Sequence, residues 1–131
     1  MKTLTAVLAI AAAFSVSANA QTAGDPVKGE QVFKKCRICH QVGENAKNMV
    51  GPQMNNVIGA QPGVHAEGYK YSQAMIDWGQ GKVWDDATLD AYLENPRGVV
   101  KGTKMAFVGL KDPQERADVI AYLKQFSEKK Q

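Results

Sequence analysis

Apolar positions recur at helical spacing in three parts of the chain, and these predict the main helices. Gly29, Val32, Phe33 and Cys36 lie on one face of a helix predicted over residues 25–39. No segment alternates apolar and polar residues over the length of a strand. The pattern therefore predicts an all-α fold.

The other two main helices are marked by residues that start and stop helices. The second is predicted over residues 85–94, beginning after Asp85 as its N-cap and ending before Pro96. The third is predicted over residues 113–126, because Asp112 caps it and a proline occupies its first position. Both carry one apolar face, as a helix that packs on a core does.

The chain between these helices, over residues 41–84, is rich in glycine and proline and is predicted to be mostly loop. Its pattern leaves room for one short helix, over residues 72–78. Loops of this length are uncommon in a small domain that folds on its own core. They are reasonable if they wrap around a large flat ligand, so the sequence favours a bound prosthetic group.

The start of the chain has the features of a secretory leader. Lys2 gives a positive start, an apolar run covers residues 6–14, and small residues precede a cleavage point after Ala20. The alternative is a membrane anchor, but the run is shorter than the roughly 20 residues that a spanning helix needs. We therefore expect residues 1–20 to be removed and residues 21–131 to form one exported, soluble, periplasmic domain.

The charge of the chain argues against one class of function. The net charge is +3, and removal of the leader takes away one lysine and leaves +2. A nucleic-acid-binding domain usually carries a strongly basic stripe, which this balance does not indicate. A basic patch on one face is still compatible with it.

Cys36, Cys39 and His40 form the sequence Cys-Arg-Ile-Cys-His, which is the attachment motif of a c-type haem. Residues three apart lie on the same side of a helical turn, so both thiols can reach the vinyl groups of one haem. The imidazole that follows can bind the iron from the proximal side. The motif therefore predicts one covalently bound haem c.

Three other uses of the two cysteines are less consistent with the sequence. Exported proteins often join two cysteines in a disulfide. A Cys-x-x-Cys pair can also be a redox dithiol, but no strand precedes this one as in thioredoxin-like units. Zinc needs further ligands, and His65 is the only other histidine, with no third cysteine. The following histidine and the export leader together favour haem.

The second axial ligand of the iron decides what the haem can do. The candidates by residue type are Met49, Met54, Met75, Met105 and His65. Met105 is favoured by its position in a glycine-containing loop after the second helix. A lone methionine more often fills a gap in a core, so spacing alone leaves this choice open. His65 lies in a glycine-rich loop, where we expect a solvated surface residue.

Several segments give the chain a resemblance to class I cytochromes c, the group of the mitochondrial protein and its soluble bacterial relatives. The resemblance covers residues 24–126 and rests on the haem motif and on Gly-Asp-Pro-Val-Lys-Gly at residues 24–29. It rests further on a late block, from Tyr-Leu-Glu-Asn-Pro at residues 92–96 to Gly-Thr-Lys-Met-Ala-Phe at residues 102–107. It implies the cytochrome c fold, in which three main helices and long loops surround one haem.

The resemblance implies a role for each matching position. Met105 becomes the distal iron ligand opposite His40, and the Pro52 carbonyl accepts a hydrogen bond from the His40 ring. Tyr71 and Trp84 are implied to hydrogen-bond a buried propionate. Tyr92 and Thr103 are implied to lie near the methionine ligand and that propionate.

One position departs from the family pattern. Class I cytochromes c often carry an arginine after the glycine that matches Gly59, where it helps to neutralise the inner propionate. This chain has Ala60 there, so the resemblance leaves that charge to another group or to water.

Histidine and methionine fill the two axial positions on the iron and the haem ring fills the other four, which predicts a one-electron carrier rather than an enzyme. A thioether ligand and an apolar surrounding favour ferrous iron and hence a relatively high potential. By resemblance, electrons come from a quinol–cytochrome c oxidoreductase and leave to a terminal oxidase or a photosynthetic reaction centre. The alternatives are an electron acceptor of a periplasmic dehydrogenase and, if the iron has an open position, a haem peroxidase.

We expect a monomer that meets these membrane complexes through basic residues on its own surface and acidic docking patches on theirs. Redox encounters of this kind bury little surface and dissociate fast. The basic residues in segments that flank the haem in this family are Lys34, Lys35, Arg37, Lys101, Lys104 and Lys111.

Overall fold

The computed structural model describes residues 23–127, and the predicted leader with its cleavage after Ala20 lies outside them. Within the described residues the chain forms no strand, which confirms the all-α prediction. The longest helix has 12 residues, and no described helix could span a bilayer. The helices are α1 (Pro26–Phe33), α2 (Gln73–Gly79), α3 (Asp86–Glu94), α4 (Pro96–Val99) and α5 (Pro113–Lys124).

Polar side chains fix where these helices begin. Asp85 and Asp112 cap α3 and α5 as predicted, each accepting a backbone amide at 2.8 Å. Ser72 caps α2 in the same way, so the short helix does form within the long loop region. A cap satisfies an amide that has no partner inside the helix, and these three residues therefore set the start of each helix.

The first helix is shorter than predicted. α1 ends at Phe33, and residues 34–39 continue as turns. The amide of Cys36 bonds the Phe33 carbonyl at 2.8 Å, and that of Cys39 bonds the Cys36 carbonyl at 3.1 Å. Bonds to the third residue back make tighter turns than those of an α-helix, and here they occur beside α-type bonds such as that of the His40 amide to the Cys36 carbonyl at 2.9 Å. The apolar spacing continues through these turns, which is why it does not mark the end of the helix.

The short helix α4 follows α3 after a single residue. Asn95 ends α3 and accepts a hydrogen bond from the amide of Gly98 at 3.1 Å, so one residue ends a helix and starts the next. Pro96 lies beyond the end of α3 as predicted, and it also opens α4. Four residues are too few for an apolar period to show, so the pattern does not predict α4.

α1 and α5 cross at close range. A Cβ atom on Gly29 would lie 1.9 Å from the carbonyl oxygen of Asp118, so only glycine allows this approach. Beside it, the rings of Phe33 and Tyr122 pack with their centroids 5.4 Å apart. The crossing anchors the end of α1 and with it the turns that carry the two cysteines.

Arg116 joins α5 to α3 from a buried position. Only 6 % of its surface is exposed, and its Nε lies 2.7 Å from Oδ1 of Asp90. Its Nη1 donates to the Leu110 carbonyl at 2.9 Å. A buried charge needs such partners. Charged residues on a helix ordinarily face solvent, so the apolar pattern gives no sign of this pair.

Candidate haem-binding site

A cavity of about 350 Å³ opens between the turns after α1, the long loop region and the loop before α5. Much of its wall is apolar and includes Phe33, Leu89 and Val119. The residues that the sequence analysis assigns to the haem come from distant parts of the chain, and the fold brings them around this one space. They are Cys36, Cys39, His40, Pro52, Tyr71, Trp84, Tyr92, Thr103 and Met105.

His40 is held by a hydrogen bond from its Nδ1 to the carbonyl oxygen of Pro52, at 2.7 Å. A carbonyl can only accept, so Nδ1 carries the proton and Nε2 keeps an available lone pair. Burial lowers the pKa of His40, against the raising effect of the Pro52 bond, and so favours the neutral imidazole. A neutral ring with one lone pair is what an iron ligand requires.

Cys36 and Cys39 are half-buried free thiols rather than a disulfide. Burial raises the pKa of Cys36 to about 11, although the charge of Lys35 acts in the opposite direction. A thiol–disulfide protein needs a thiolate, so this environment argues against the redox-dithiol alternative. Both cysteines lie at the cavity wall, where thioether bonds to a haem would form.

Three of the four candidate methionines line the cavity, namely Met54, Met75 and Met105. The backbone beside Met105 is fixed by hydrogen bonds that join its loop to α3. Tyr92 Oη lies 2.8 Å from Thr103 Oγ1, and Thr103 Oγ1 accepts the amide of Met105 at 3.3 Å. The structure therefore gives Met105 a well-supported loop at the cavity wall.

His65 differs from the expectation of a solvated surface residue. It is half-buried and lines the cavity. Its Nε2 lies 2.9 Å from the Gln53 carbonyl oxygen and its Nδ1 lies 3.0 Å from the Tyr71 hydroxyl. These partners reach it through the folding of the loops, so the glycine-rich composition around His65 does not reveal them.

Trp84 and Tyr92 form an aromatic wall of the cavity. Their ring centroids lie 5.2 Å apart, and Trp78 packs against Trp84 at 5.4 Å. Both wall residues are about 5 % exposed. Burial raises the pKa of Tyr92, so its hydroxyl stays protonated at neutral pH. This side of the cavity therefore keeps water out without adding charge.

The predicted basic residues are unequally placed relative to the cavity. Lys35 lines it but is paired with Glu115 at 2.8 Å. Lys104 also lines it, and its Nζ donates to the Lys70 carbonyl at 2.7 Å. Within residues 23–127, Lys104 has no carboxylate partner, so its charge is uncompensated. The predicted basic residues that do not line the cavity are Lys34, Arg37, Lys101 and Lys111.

The donor set at this cavity fits a covalently bound haem. It combines two thiols, a neutral imidazole and a thioether around a mainly apolar space. The zinc alternative lacks such support, because the described part of the chain contains no group of three or more His, Cys, Asp or Glu that could hold a bare metal ion.

Comparisons with known proteins agree with this chemistry. The family model for cytochrome c matches residues 26–127. A cytochrome c2 of Rhodomicrobium vannielii is 62 % identical over 114 residues, which are 87 % of this chain and 89 % of that protein. A cytochrome c-554 of Methylosinus trichosporium is 48 % identical over 120 residues, which are 91 % of this chain and 89 % of that protein.

The fold also matches a solved structure. The structure of cytochrome c2 from Rhodospirillum centenum superposes with a TM-score of 0.75 at 47 % sequence identity. The match covers 80 % of this chain and 100 % of that one.

Proposed function

Since the chain belongs to the cytochrome c family, which makes it a haem c electron carrier rather than an enzyme, we propose that His40 and Met105 are the axial ligands of its iron. Cys36 and Cys39 are proposed to hold the haem through thioether bonds. The mature protein is proposed to be a periplasmic monomer, exported by the leader that ends at Ala20.

The observation that carries this proposal is the shared position of both ligand types. His40 and Met105 line the same mainly apolar cavity as the two cysteines. The Pro52 carbonyl accepts the hydrogen bond from Nδ1 of His40, which leaves Nε2 available to bind the iron. Met54 and Met75 also line the cavity, so the choice of Met105 rests in addition on the segment at residues 102–107 that resembles the family.

A bound haem c supplies a centre that changes by one electron. The chain contributes the ligands and the surroundings that tune this centre. A thioether ligand favours ferrous iron, and apolar walls disfavour the more highly charged ferric state. With both axial positions filled by side chains, no position is left for peroxide. A high-potential carrier follows from these properties.

For partners we propose a quinol–cytochrome c oxidoreductase as donor and a terminal oxidase or photosynthetic reaction centre as acceptor. The proposal is supported by the relatives named cytochrome c2 and by the uncompensated lysine at the cavity wall. A periplasmic dehydrogenase is the alternative donor. Stopped-flow measurements of haem reduction, by membranes supplied with quinol and by such a dehydrogenase, distinguish the two donors.

The axial ligands are tested by the substitution Met105→Ala. We expect the haem to stay attached after acid denaturation, because thioether bonds survive where coordination does not. The methionine–iron absorption of the ferric protein should disappear. The midpoint potential should fall by on the order of 0.1 V, within the roughly 0.8 V range that axial ligands control. Cyanide should bind the ferric variant quickly.

Met54→Ala is the matched control, since it removes a second cavity-lining methionine. It should keep the methionine–iron absorption and bind cyanide slowly. Retention of that absorption in Met105→Ala, with its loss in Met54→Ala, would move the ligand to Met54. Immediate cyanide binding and peroxide turnover by the unaltered ferric protein would replace the carrier by an enzyme.

A further inference from the structure

Met75 is a buried methionine that faces the haem cavity but has no part in the proposed ligation. It is 9 % exposed and lines the cavity. It lies in the first turn of α2, and its amide donates to Oγ of Ser72, the cap of that helix, at 3.1 Å. The cap therefore fixes the backbone from which this thioether reaches the cavity.

The start of α2 packs against the loop that carries Met105. A Cβ atom on Gly102 would lie 3.3 Å from that of Ala74, so the backbone of this loop comes close to the helix residue just before Met75. Gly102 has a φ of 87°, a left-handed conformation that suits glycine. Met75 and Met105 therefore lie on two segments that are in contact.

The polar groups beside Met105 already have partners. Tyr92 Oη lies 2.8 Å from Thr103 Oγ1, which also accepts the Met105 amide at 3.3 Å. Met75 adds a thioether, which is only a weak acceptor. A water molecule is held in a cavity only where about two to four polar partners are available to it. This wall of the cavity therefore offers little to hold water while residue 75 is apolar.

We propose that Met75 is a positioning residue for the Met105 ligand: its buried thioether keeps the wall beside Met105 dry and thereby slows the loop opening that lets an outside ligand reach the iron. The inference rests on the proposed ligation by Met105. It deepens the carrier function, because a carrier must keep its sixth position closed between electron transfers. Met75 itself makes and breaks no bond, and it acts only on the balance between a closed and an open loop.

Met54 provides a comparison within the same cavity. It also lines the cavity, but its amide donates to the Gln41 carbonyl at 2.9 Å, directly after the proposed ligand His40. Met54 therefore belongs to the segment that holds the histidine, whereas Met75 contacts the segment that holds the methionine. The same substitution at the two positions separates the effect of polarity in the cavity from the effect of place.

The test is the rate at which cyanide binds the ferric holoprotein at saturating cyanide, where loop opening limits the reaction. Met75→Gln keeps the length of the side chain but adds an amide. The rate should rise by roughly tenfold, because burial of an amide without partners destabilises the closed loop. Met75→Leu stays apolar and of similar volume, so it should bind cyanide nearly as slowly as the unaltered protein. Met54→Gln should raise the rate much less than Met75→Gln.

A loss of overall stability is distinguished from loop opening by Gly24→Ala. This substitution strains the contact of residue 24 with α5, away from the cavity. Its cyanide rate should stay low even if its denaturant midpoint falls as far as that of Met75→Gln. Hydrogen exchange in the reduced protein gives a local measurement. Met75→Gln should accelerate exchange of the Met105 amide by a larger factor than exchange of the Val119 amide in α5.

Ser72→Ala is a second variant, which leaves the Met75 side chain in place but removes a partner of its amide. It should raise the cyanide rate by a smaller factor than Met75→Gln, because the start of α2 is held less firmly. This variant keeps the proposal testable if Met75→Gln fails to fold.

Each failure has a separate meaning. An unchanged cyanide rate in Met75→Gln, or an equal rise in Met54→Gln or Gly24→Ala, would overturn the proposal. If Met75→Gln fails to fold, an unchanged rate in Ser72→Ala would overturn it as well. Absence of the methionine–iron absorption from the unaltered protein would instead defeat the axial-ligand proposal.

Discussion

At the scale of single residues, Gly51 controls how the His40 ring can sit. A Cβ atom on Gly51 would lie 2.4 Å from Cε1 of the ring and 2.7 Å from Nδ1. The Gly51 amide also donates to the Cys39 carbonyl at 2.9 Å, so the backbone cannot move away without breaking a bond to the haem motif. Space at the ring, rather than backbone conformation, requires glycine here.

Gly51→Ala should therefore displace the imidazole while the haem stays attached. We expect a high-spin fraction in the ferric absorption spectrum and a loss of about 1–3 kcal/mol in the free energy of unfolding, the usual cost of overpacking. Gly24→Ala is the control, because its Cβ would lie 2.0 Å from the Ala117 carbonyl oxygen, away from the cavity. It should lose stability with an unchanged spectrum, and equal spectral changes in both variants would mean general loosening.

Sequence alone could assign residues whose function depends on their spacing along the chain. The haem motif is predicted as a unit because its three defining residues lie within one short segment, at Cys36, Cys39 and His40. His65 is not predictable in this way, since Gln53 and Tyr71 meet it only after the loops fold. The motif residues can be read from local order in the chain, whereas the hydrogen bonds of His65 depend on tertiary contacts.

At the scale of helices, starts are more predictable than ends. Asp85 and Asp112 act on amides two or three residues away, so their effect is written in the local sequence. The end of α1 at Phe33 depends on a change from α-helical to tighter turns, and the apolar spacing does not change with it. The four-residue α4 is shorter than one apolar period.

The crossing of α1 and α5 should be the most sensitive contact between helices. Gly29→Ala would place a methyl group 1.9 Å from the Asp118 carbonyl oxygen, so the helices must separate. We expect the free energy of unfolding to fall by about 1–3 kcal/mol, measured by denaturant titration of the holoprotein. The turns at Cys36 and Cys39 directly follow α1, so haem attachment during maturation should also become less complete.

Val27→Ala is the control for this crossing, because Val27 lies on α1 but is 72 % exposed. Its unfolding free energy should stay within about 0.5 kcal/mol of the unaltered protein. An equal loss in both variants would show that α1 itself, rather than its contact with α5, limits stability.

At the scale of the whole molecule, the cavity replaces part of an ordinary core. Phe33, Leu89 and Val119 are buried but also face this space. The length of the loops over residues 41–84 is enough to predict that something large fills the centre. Which loop side chains face inward could not be predicted, because glycine-rich loops have no period from which burial can be inferred.

At the scale of the whole molecule, the position of a charge relative to the cavity matters more than the net charge. The net charge of residues 21–131 is only +2, yet Lys104 lies uncompensated at the cavity wall. An electron-exchange reagent that approaches this wall meets Lys104, whereas Lys124 on α5 is paired with Asp86 at 2.7 Å and does not line the cavity. Two substitutions with the same change in net charge should therefore differ in effect.

Lys104→Glu should slow electron exchange with an anionic complex such as ferrocyanide, by up to roughly tenfold at low ionic strength, since local charge steers the encounter. The difference should fade as salt approaches about 0.1 M, where the screening length falls to roughly 10 Å. Lys124→Glu should change the rate little, and a cationic ruthenium complex should react faster with Lys104→Glu. If both substitutions changed the stopped-flow rates equally, net charge rather than the position of Lys104 would control the encounter. The Lys104 side of the cavity would then not be the docking face.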